Sequence, residues 1–177
     1  MDAMASRGWT VPDWPTAYGG GGLSPAETKI LREEMAAIKA RNPLNSFGIS
    51  MLGPALLKYG TEEQKLDSLP KLARGELRWG QGYSEPNAGS DLASLQTRAE
   101  SDGEDFIING QKIWTSRAEH SDLMVLLART TPKEQAKKRT DGLSVFLVDM
   151  RAAKGNGLEI RPFRTMMNHA TTEVFFT

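Results

Sequence analysis

Apolar residues fall at helical spacing through the first 75 or so positions and at alternating spacing from residue 77 onward, which predicts a helical segment followed by a β-domain. Ser24-Pro25-Ala26-Glu27 combines an N-cap, a proline at the first helical position and a capping-box acid, and Ile30, Leu31, Met35 and Ile38 then share one helical face. Asn42-Pro43 is expected to end that helix. A second apolar stretch runs from Phe47 to Tyr59, with Gly53-Pro54 predicted to kink or split it and Gly60 to supply a left-handed stop. Thr61-Glu62-Glu63-Gln64 is a second capping box, opening a helix that carries Leu66, Leu69 and Leu72 before Gly75.

Beyond residue 77 the pattern predicts about eight short strands in an antiparallel barrel or sandwich, so the fold class is α+β. Residues 77–83 form the first. Residues 97–101 and 105–108 read as a hairpin about Ser101-Asp102-Gly103-Glu104, and Asn109-Gly110 as a second tight turn leading into 111–115. Further strands are expected at 123–129, 143–150, 158–163 and 172–176, with a solvated loop carrying Lys133, Lys137, Lys138 and Arg139 between the first two of these. Two domains follow, residues 1–76 and 77–177. The second ends on Val174-Phe175-Phe176-Thr177, an apolar strand expected to want a neighbour, so the β-domain reads as incomplete and the chain as part of a longer protein.

Composition narrows the function. Lys+Arg 22 balances Asp+Glu 22, which argues against a phosphate-gripping nucleic-acid module and against a polybasic membrane binder. Cys is 0, which excludes disulfides, thiolate nucleophiles and thiolate-ligated metals and fits a reducing cytoplasm. His120 and His169 stand far apart outside any ligand spacing, so both read as structural or surface residues and no metal site is expected. The longest purely apolar run, residues 123–128, is far too short for a membrane span. Dinucleotide, P-loop and nucleophile-elbow spacings are missing from the sequence. The run Gly19-Gly20-Gly21-Gly22 has no phosphate-binding spacing and reads as a flexible lead-in to the first capped helix.

Two polar constellations carry the candidate chemistry. Ser84-Glu85-Pro86-Asn87-Ala88-Gly89-Ser90-Asp91 follows the first strand. Its proline, asparagine and glycine predict a tight bend, and Ser90 or Asp91 could cap a short helix at residues 92–94, turning several backbone donors toward one spot. The carboxylates of Glu85 and Asp91 weigh against an anion there and favour a neutral, acceptor-rich ligand edge. In Lys112-Ile113-Trp114-Thr115-Ser116, strand alternation sends Trp114 and Ser116 to one face and Ile113 and Thr115 to the other. An indole beside a hydroxyl suits a flat heteroaromatic ring, although, since strands favour aromatics, a core tryptophan with an incidental serine is the better reading when the motif is taken alone. Trp9, Trp14 and Trp79 read as packing residues.

The ordered series WPTAYGGGGLS (14–24), GPALLKYGTEEQK (53–65), QGYSEPNAGSDLASLQTRA (81–99), INGQKIWTS (108–116) and GLSVFLVDM (142–150) resembles the acyl-CoA dehydrogenase family over nearly all 177 residues. The resemblance implies a helical N-terminal domain, a middle β-domain and a C-terminal four-helix bundle, with FAD between the last two. It implies that Gln81 and Tyr83 contact flavin largely through their backbone, that Ser84 hydrogen-bonds the ring, that Trp114 and Ser116 flank it, and that Gly89 and Ser90 lie toward the acyl-CoA substrate. Ser84 and Ser116 stand where many relatives carry threonine, and the hydroxyl survives.

The family reaction is α,β-dehydrogenation of acyl-CoA thioesters, as in fatty acid β-oxidation. Electrons leave through an electron-transfer flavoprotein, and the full-length protein is expected to be a homo-oligomer. In the family the base that takes the α-proton comes from the C-terminal bundle. No glutamate here matches its motif, so no catalytic base is assigned and the isolated chain is expected to be inactive. Two alternatives remain open at this point: a non-catalytic fragment or assembly partner, motivated by an exposed Val174 and Phe176, and an acyl-CoA oxidase.

Overall fold

The computed structural model describes residues 2–42, 44–166 and 170–177, and the chain divides into two compact units, Met1–Arg78 and Trp79–Thr177. The first unit is helical: α1 (Asp2–Ala5), α2 (Pro25–Ala37), α3 (Gly53–Tyr59) and α4 (Glu62–Ala73). Both predicted capping boxes form, with the Ser24 hydroxyl accepting from the Glu27 amide and Thr61 from the Gln64 amide. Its core gathers Val11, Trp14, Leu52, Leu56, Leu69 and Leu72, and the Thr10 hydroxyl donates to the Ala73 carbonyl at 2.7 Å.

Several local expectations are corrected in this unit. Helix α2 ends at Ala37, with Ile38 as its C-cap and Lys39 at φ 54°, well before Asn42; Pro43 lies outside the described residues. The predicted apolar face of α2 stays open, since Ile30 and Ile38 are exposed and Leu31 and Met35 half-buried. Gly53-Pro54 does not break the backbone: a π-helical turn at Gly48–Leu52 continues into α3 at Gly53, where the helix changes type. Gly60 is extended, not left-handed. The glycine run is tightly bonded, with the amides of Gly20, Gly21, Gly22 and Leu23 donating to the carbonyls of Pro15, Val11, Trp14 and Pro12. A Cβ on Gly20 would lie 2.1 Å from the Trp14 carbonyl oxygen, so close approach to a buried tryptophan explains the glycine there.

The second unit is a curled, mixed seven-stranded sheet: β1 (Trp79–Gly82), β2 (Arg98–Asp102), β3 (Asp105–Ser116), β4 (Leu123–Arg129), β5 (Leu143–Asp149), β6 (Leu158–Phe163) and β7 (Thr171–Phe176), with a short helix α5 (Met150–Ala153). Neighbours run β1-β4-β2-β3-β7-β6, with β5 also on β4. Most pairs are antiparallel; β1 and β2 each meet β4 in parallel. The core of this unit comprises Met124, Leu126, Met150, Leu158, Val174 and Phe176.

The hairpin about Gly103 forms as expected, with φ 65° at that glycine, but Asn109-Gly110 is not a turn. It lies inside β3, which pairs with β2 through Asn109 and with β7 from Gly110 onward, so one 12-residue strand changes partners there. A Cβ on Gly110 would sit 2.4 Å from Thr97 Oγ1, and its φ of 154° adds to the cost of any side chain. Close packing, and not chain reversal, accounts for the glycine. The C-terminal strand is also corrected. β7 lies between β3 and β6, and Val174 is 0% and Phe176 6% exposed, so the exposed side chains expected there to motivate an assembly partner are buried within the sheet. Trp14 and Trp79 are buried packing residues as expected, and Trp9 is half-buried under the Arg7 guanidinium. His120 is exposed, while His169 lies outside the described residues.

Candidate functional site

The two polar constellations meet. The Ile113 amide donates to the Ser84 carbonyl at 2.9 Å, which joins the end of β1 to the middle of β3. Beside that bond β3 is irregular: Lys112 pairs with Val174 and Thr115 with Thr172, so three steps on β3 oppose two on β7. This is a β-bulge, and Trp114 within it has φ 60°, a conformation a bulky residue adopts only under constraint. A regular strand would place Lys112, Trp114 and Ser116 together. Here Lys112 is 0% exposed and Trp114 is 62% exposed, while Thr115 is buried and Ser116 exposed. Trp114 and Ser116 thus both reach the surface, and Lys112 is turned inward. The Phe163 ring stands edge-on to the indole at 5.2 Å and 77°.

Lys112 finds its partners on the loop. Its ammonium donates to the Tyr83 carbonyl at 3.1 Å and to the Glu85 carboxylate at 2.8 Å. The same carboxylate accepts the amides of Gln96 at 2.6 Å and Thr97 at 2.9 Å. Burial alone would raise the Glu85 pKa, but the hydrogen bonds from Lys112 and the two amides outweigh it and hold the carboxyl below its ordinary range. Burial lowers the Lys112 pKa, opposed by Glu85. The anion held by this cradle of amides is therefore the loop's own carboxylate.

The sequence pattern offered Glu85 only a repulsive role, Asp91 that role or a helix cap, and Lys112 none. Their pairing was hidden because the bulge reverses the parity of β3. Asp91 is paired as well, with Arg139, whose hydrogen bond holds its carboxyl below the ordinary range. The buried Arg129 guanidinium donates to the carbonyls of Ala93 at 2.9 Å and Asp141 at 3.3 Å, so the basic loop after β4 is latched to this turn. The tight bend itself closes through reciprocal amide-to-carbonyl bonds between Glu85 and Ala88 at 3.0 and 3.1 Å. Neither Ser90 nor Asp91 caps the short 3₁₀ turn at Leu92–Ser94 through its side chain; the Ser94 hydroxyl donates back to the Asp91 carbonyl instead.

Gln81 pairs with Val125 on β4 and is half-buried, as are Tyr83 and Ser84. Gly89 and Ser90 are exposed, and a Cβ on Gly89 would meet nothing within 4 Å. A cleft of about 430 Å³ opens beside the loop, lined among others by Asn87, Gln96, Asn109, Gln111 and Phe176. Trp114 does not line it. No group of three or more candidate metal ligands occurs among the described residues. No helix of the described residues is long and apolar enough to cross a membrane.

Comparison with known proteins agrees with this architecture. Residues 1–76 match the acyl-CoA dehydrogenase N-terminal domain and residues 80–177 the acyl-CoA dehydrogenase middle domain. The acyl-CoA dehydrogenase IpdE1 of Mycobacterium tuberculosis is 44% identical over 174 residues, covering 98% of this chain and 44% of the relative. A solved structure titled Tcur3481-Tcur3483 steroid ACAD is 38% identical with a TM-score of 0.80 over 99% of this chain and 44% of that one. A glutaryl-CoA dehydrogenase from Mycobacterium smegmatis, solved in complex with FADH2, is 26% identical with a TM-score of 0.70, over 99% of this chain and 43% of that one. The chain spans less than half the length of these relatives. A helical unit joined to a curled middle-domain sheet, with both domain families matched in order, makes this chain a member of the acyl-CoA dehydrogenase family.

Proposed function

We propose that this chain supplies the flavin-facing half of an FAD-dependent acyl-CoA dehydrogenase. The observation that carries the reading is Trp114: a large indole, 62% exposed, held at φ 60° on a bulge hydrogen-bonded to the Ser84 carbonyl. Strain of this kind costs on the order of 1–3 kcal/mol and collects where a side chain must be aimed. The residues fit an isoalloxazine ring. Trp114 offers an open aromatic face, Ser116 a nearby exposed hydroxyl, and Ser84 a hydroxyl from the apposed strand end.

When bound, FAD supplies the acceptor for the hydride leaving the β-carbon of the acyl thioester. This chain's own residues would bind and orient. Gln81 and Tyr83 would border the ring through their backbone, with the Tyr83 carbonyl also held by Lys112. Ser84 and Ser116 would donate to ring heteroatoms, and Trp114 would cover the ring and exclude water. Gly89 and Ser90, on the outer turn, would lie toward the acyl-CoA. Removal of the α-proton is assigned to no residue of this chain. Electron-transfer flavoprotein would be the acceptor, and a homo-oligomer the assembled form.

The test is to purify the chain, record bound flavin by absorbance, and add a fatty acyl-CoA and a steroid-derived CoA thioester in separate arms, the second because a related structure is titled a steroid enzyme. Retained flavin without bleaching supports a binding half. Turnover by this chain alone would contradict the assignment of the base elsewhere, and peroxide from the full-length enzyme would favour the oxidase reading.

A further inference from the structure

We propose that Lys112 and Glu85 are positioning residues: their buried pair sets the junction that aims Trp114 and Ser84, a role beyond keeping the sheet folded. The inference deepens the flavin reading and rests on it for its meaning. The geometry is specific to the junction. Lys112 grips the chain on both sides of Ser84, through the Tyr83 carbonyl before it and the Glu85 carboxylate after it. The Ile113 amide grips Ser84 itself, through its carbonyl. Three consecutive residues, 83–85, are thereby fixed to two consecutive residues of β3, 112 and 113, on the N-terminal side of Trp114.

The carboxylate is anchored in turn by the amides of Gln96 and Thr97, so the loop's return path is fixed to the same point. Turning Lys112 inward is also what requires the bulge: with Lys112 and Thr115 both buried three positions apart, the intervening pair must absorb an extra residue, and Trp114 takes the left-handed conformation. An apolar residue at 112 could fill the same space. It could not hold the Tyr83 carbonyl or the Glu85 carboxylate, so the charges serve geometry more than burial.

The test uses the whole chain with ¹⁵N-labelled tryptophan, in which each indole gives one N–H cross-peak and that of Trp114 is the one lost in W114F. The variants are Lys112→Met, and the double variant Glu85→Met with Lys112→Met, which removes both charges and keeps apolar volume. Met150→Ala is the control, because it loosens the core of the same unit from the short helix α5, which packs on β4 and β5. The expected result is that both pair variants, folded by circular dichroism, shift the Trp114 peak and leave that of Trp14 in place, while Met150→Ala leaves both. A Trp114 peak coincident with wild type in the folded double variant overturns the proposal. So does a double variant that unfolds while Met150→Ala stays folded, since the pair would then hold the sheet as a whole.

Titration with FAD separates the two claims. If wild type and Trp114→Ala quench flavin fluorescence alike, the flavin reading fails and the peak shifts still decide the positioning role. If wild type alone binds through Trp114, the double variant is expected to bind about tenfold more weakly, because the site is no longer preorganised.

Discussion

At the scale of single residues, the balance between stability and use is clearest at Trp114. Its indole is mostly exposed and its backbone left-handed, so it contributes little burial and costs strain. Trp114→Asn, a residue that tolerates this conformation, is expected to keep or raise thermal stability by up to about 1 kcal/mol while removing the aromatic face; a thermal melt checks it. Lys112 is the opposite case. Lys112→Met leaves Glu85 buried without its cation and is expected to cost about 3–5 kcal/mol in denaturant unfolding, partly recovered when Glu85→Met is added.

Acid should act through the same carboxylate. Its folded pKa lies below the ordinary value of 4.5, so its stabilising contribution is complete above about pH 4.5 and is lost as pH falls through the folded value. Glu85→Gln is therefore expected to flatten the loss of stability between pH 5 and 3 relative to wild type, as read from urea midpoints across that range.

At the scale of elements, local signals were most legible where a side chain closes on its own backbone. The two capping boxes at Ser24 and Thr61 form as their sequences imply, and Ser24→Ala or Thr61→Ala should each cost about 1 kcal/mol in a thermal melt. The turn at Gly103 was equally plain. Signals whose cause is tertiary misled. Asn109-Gly110 has the composition of a hairpin turn, yet Gly110 is a glycine because Thr97 packs against its Cα, so Gly110→Ala is expected to cost about 2–3 kcal/mol in denaturant unfolding. The glycine run before α2 looked like slack chain because a run of glycines carries no side-chain pattern to show that the backbone closes on Trp14. Strand parity failed at one residue, the bulge at Trp114, and that single slip concealed the burial of Lys112.

At the scale of the whole molecule, the change from helical to alternating period was enough to read a helical unit followed by a β-unit, and the ordered motifs carried the family. Alternation could not reveal that β1 runs parallel to β4, because a parallel pair across a long connection has the same local pattern as an antiparallel one. It also could not show that β7 lies within the sheet, since the last strand in sequence need not be an edge in space.

The claim on which the functional account stands is that the exposed indole at the junction of β1 and β3 forms one wall of a flavin slot. Fluorescence titration of FAD against the chain and its Trp114→Ala variant tests it most directly. The account predicts quenching that saturates with the wild type and an affinity about tenfold lower in the variant, the size of effect an aromatic contact contributes. Equal affinity for the two, with both folded, would contradict it.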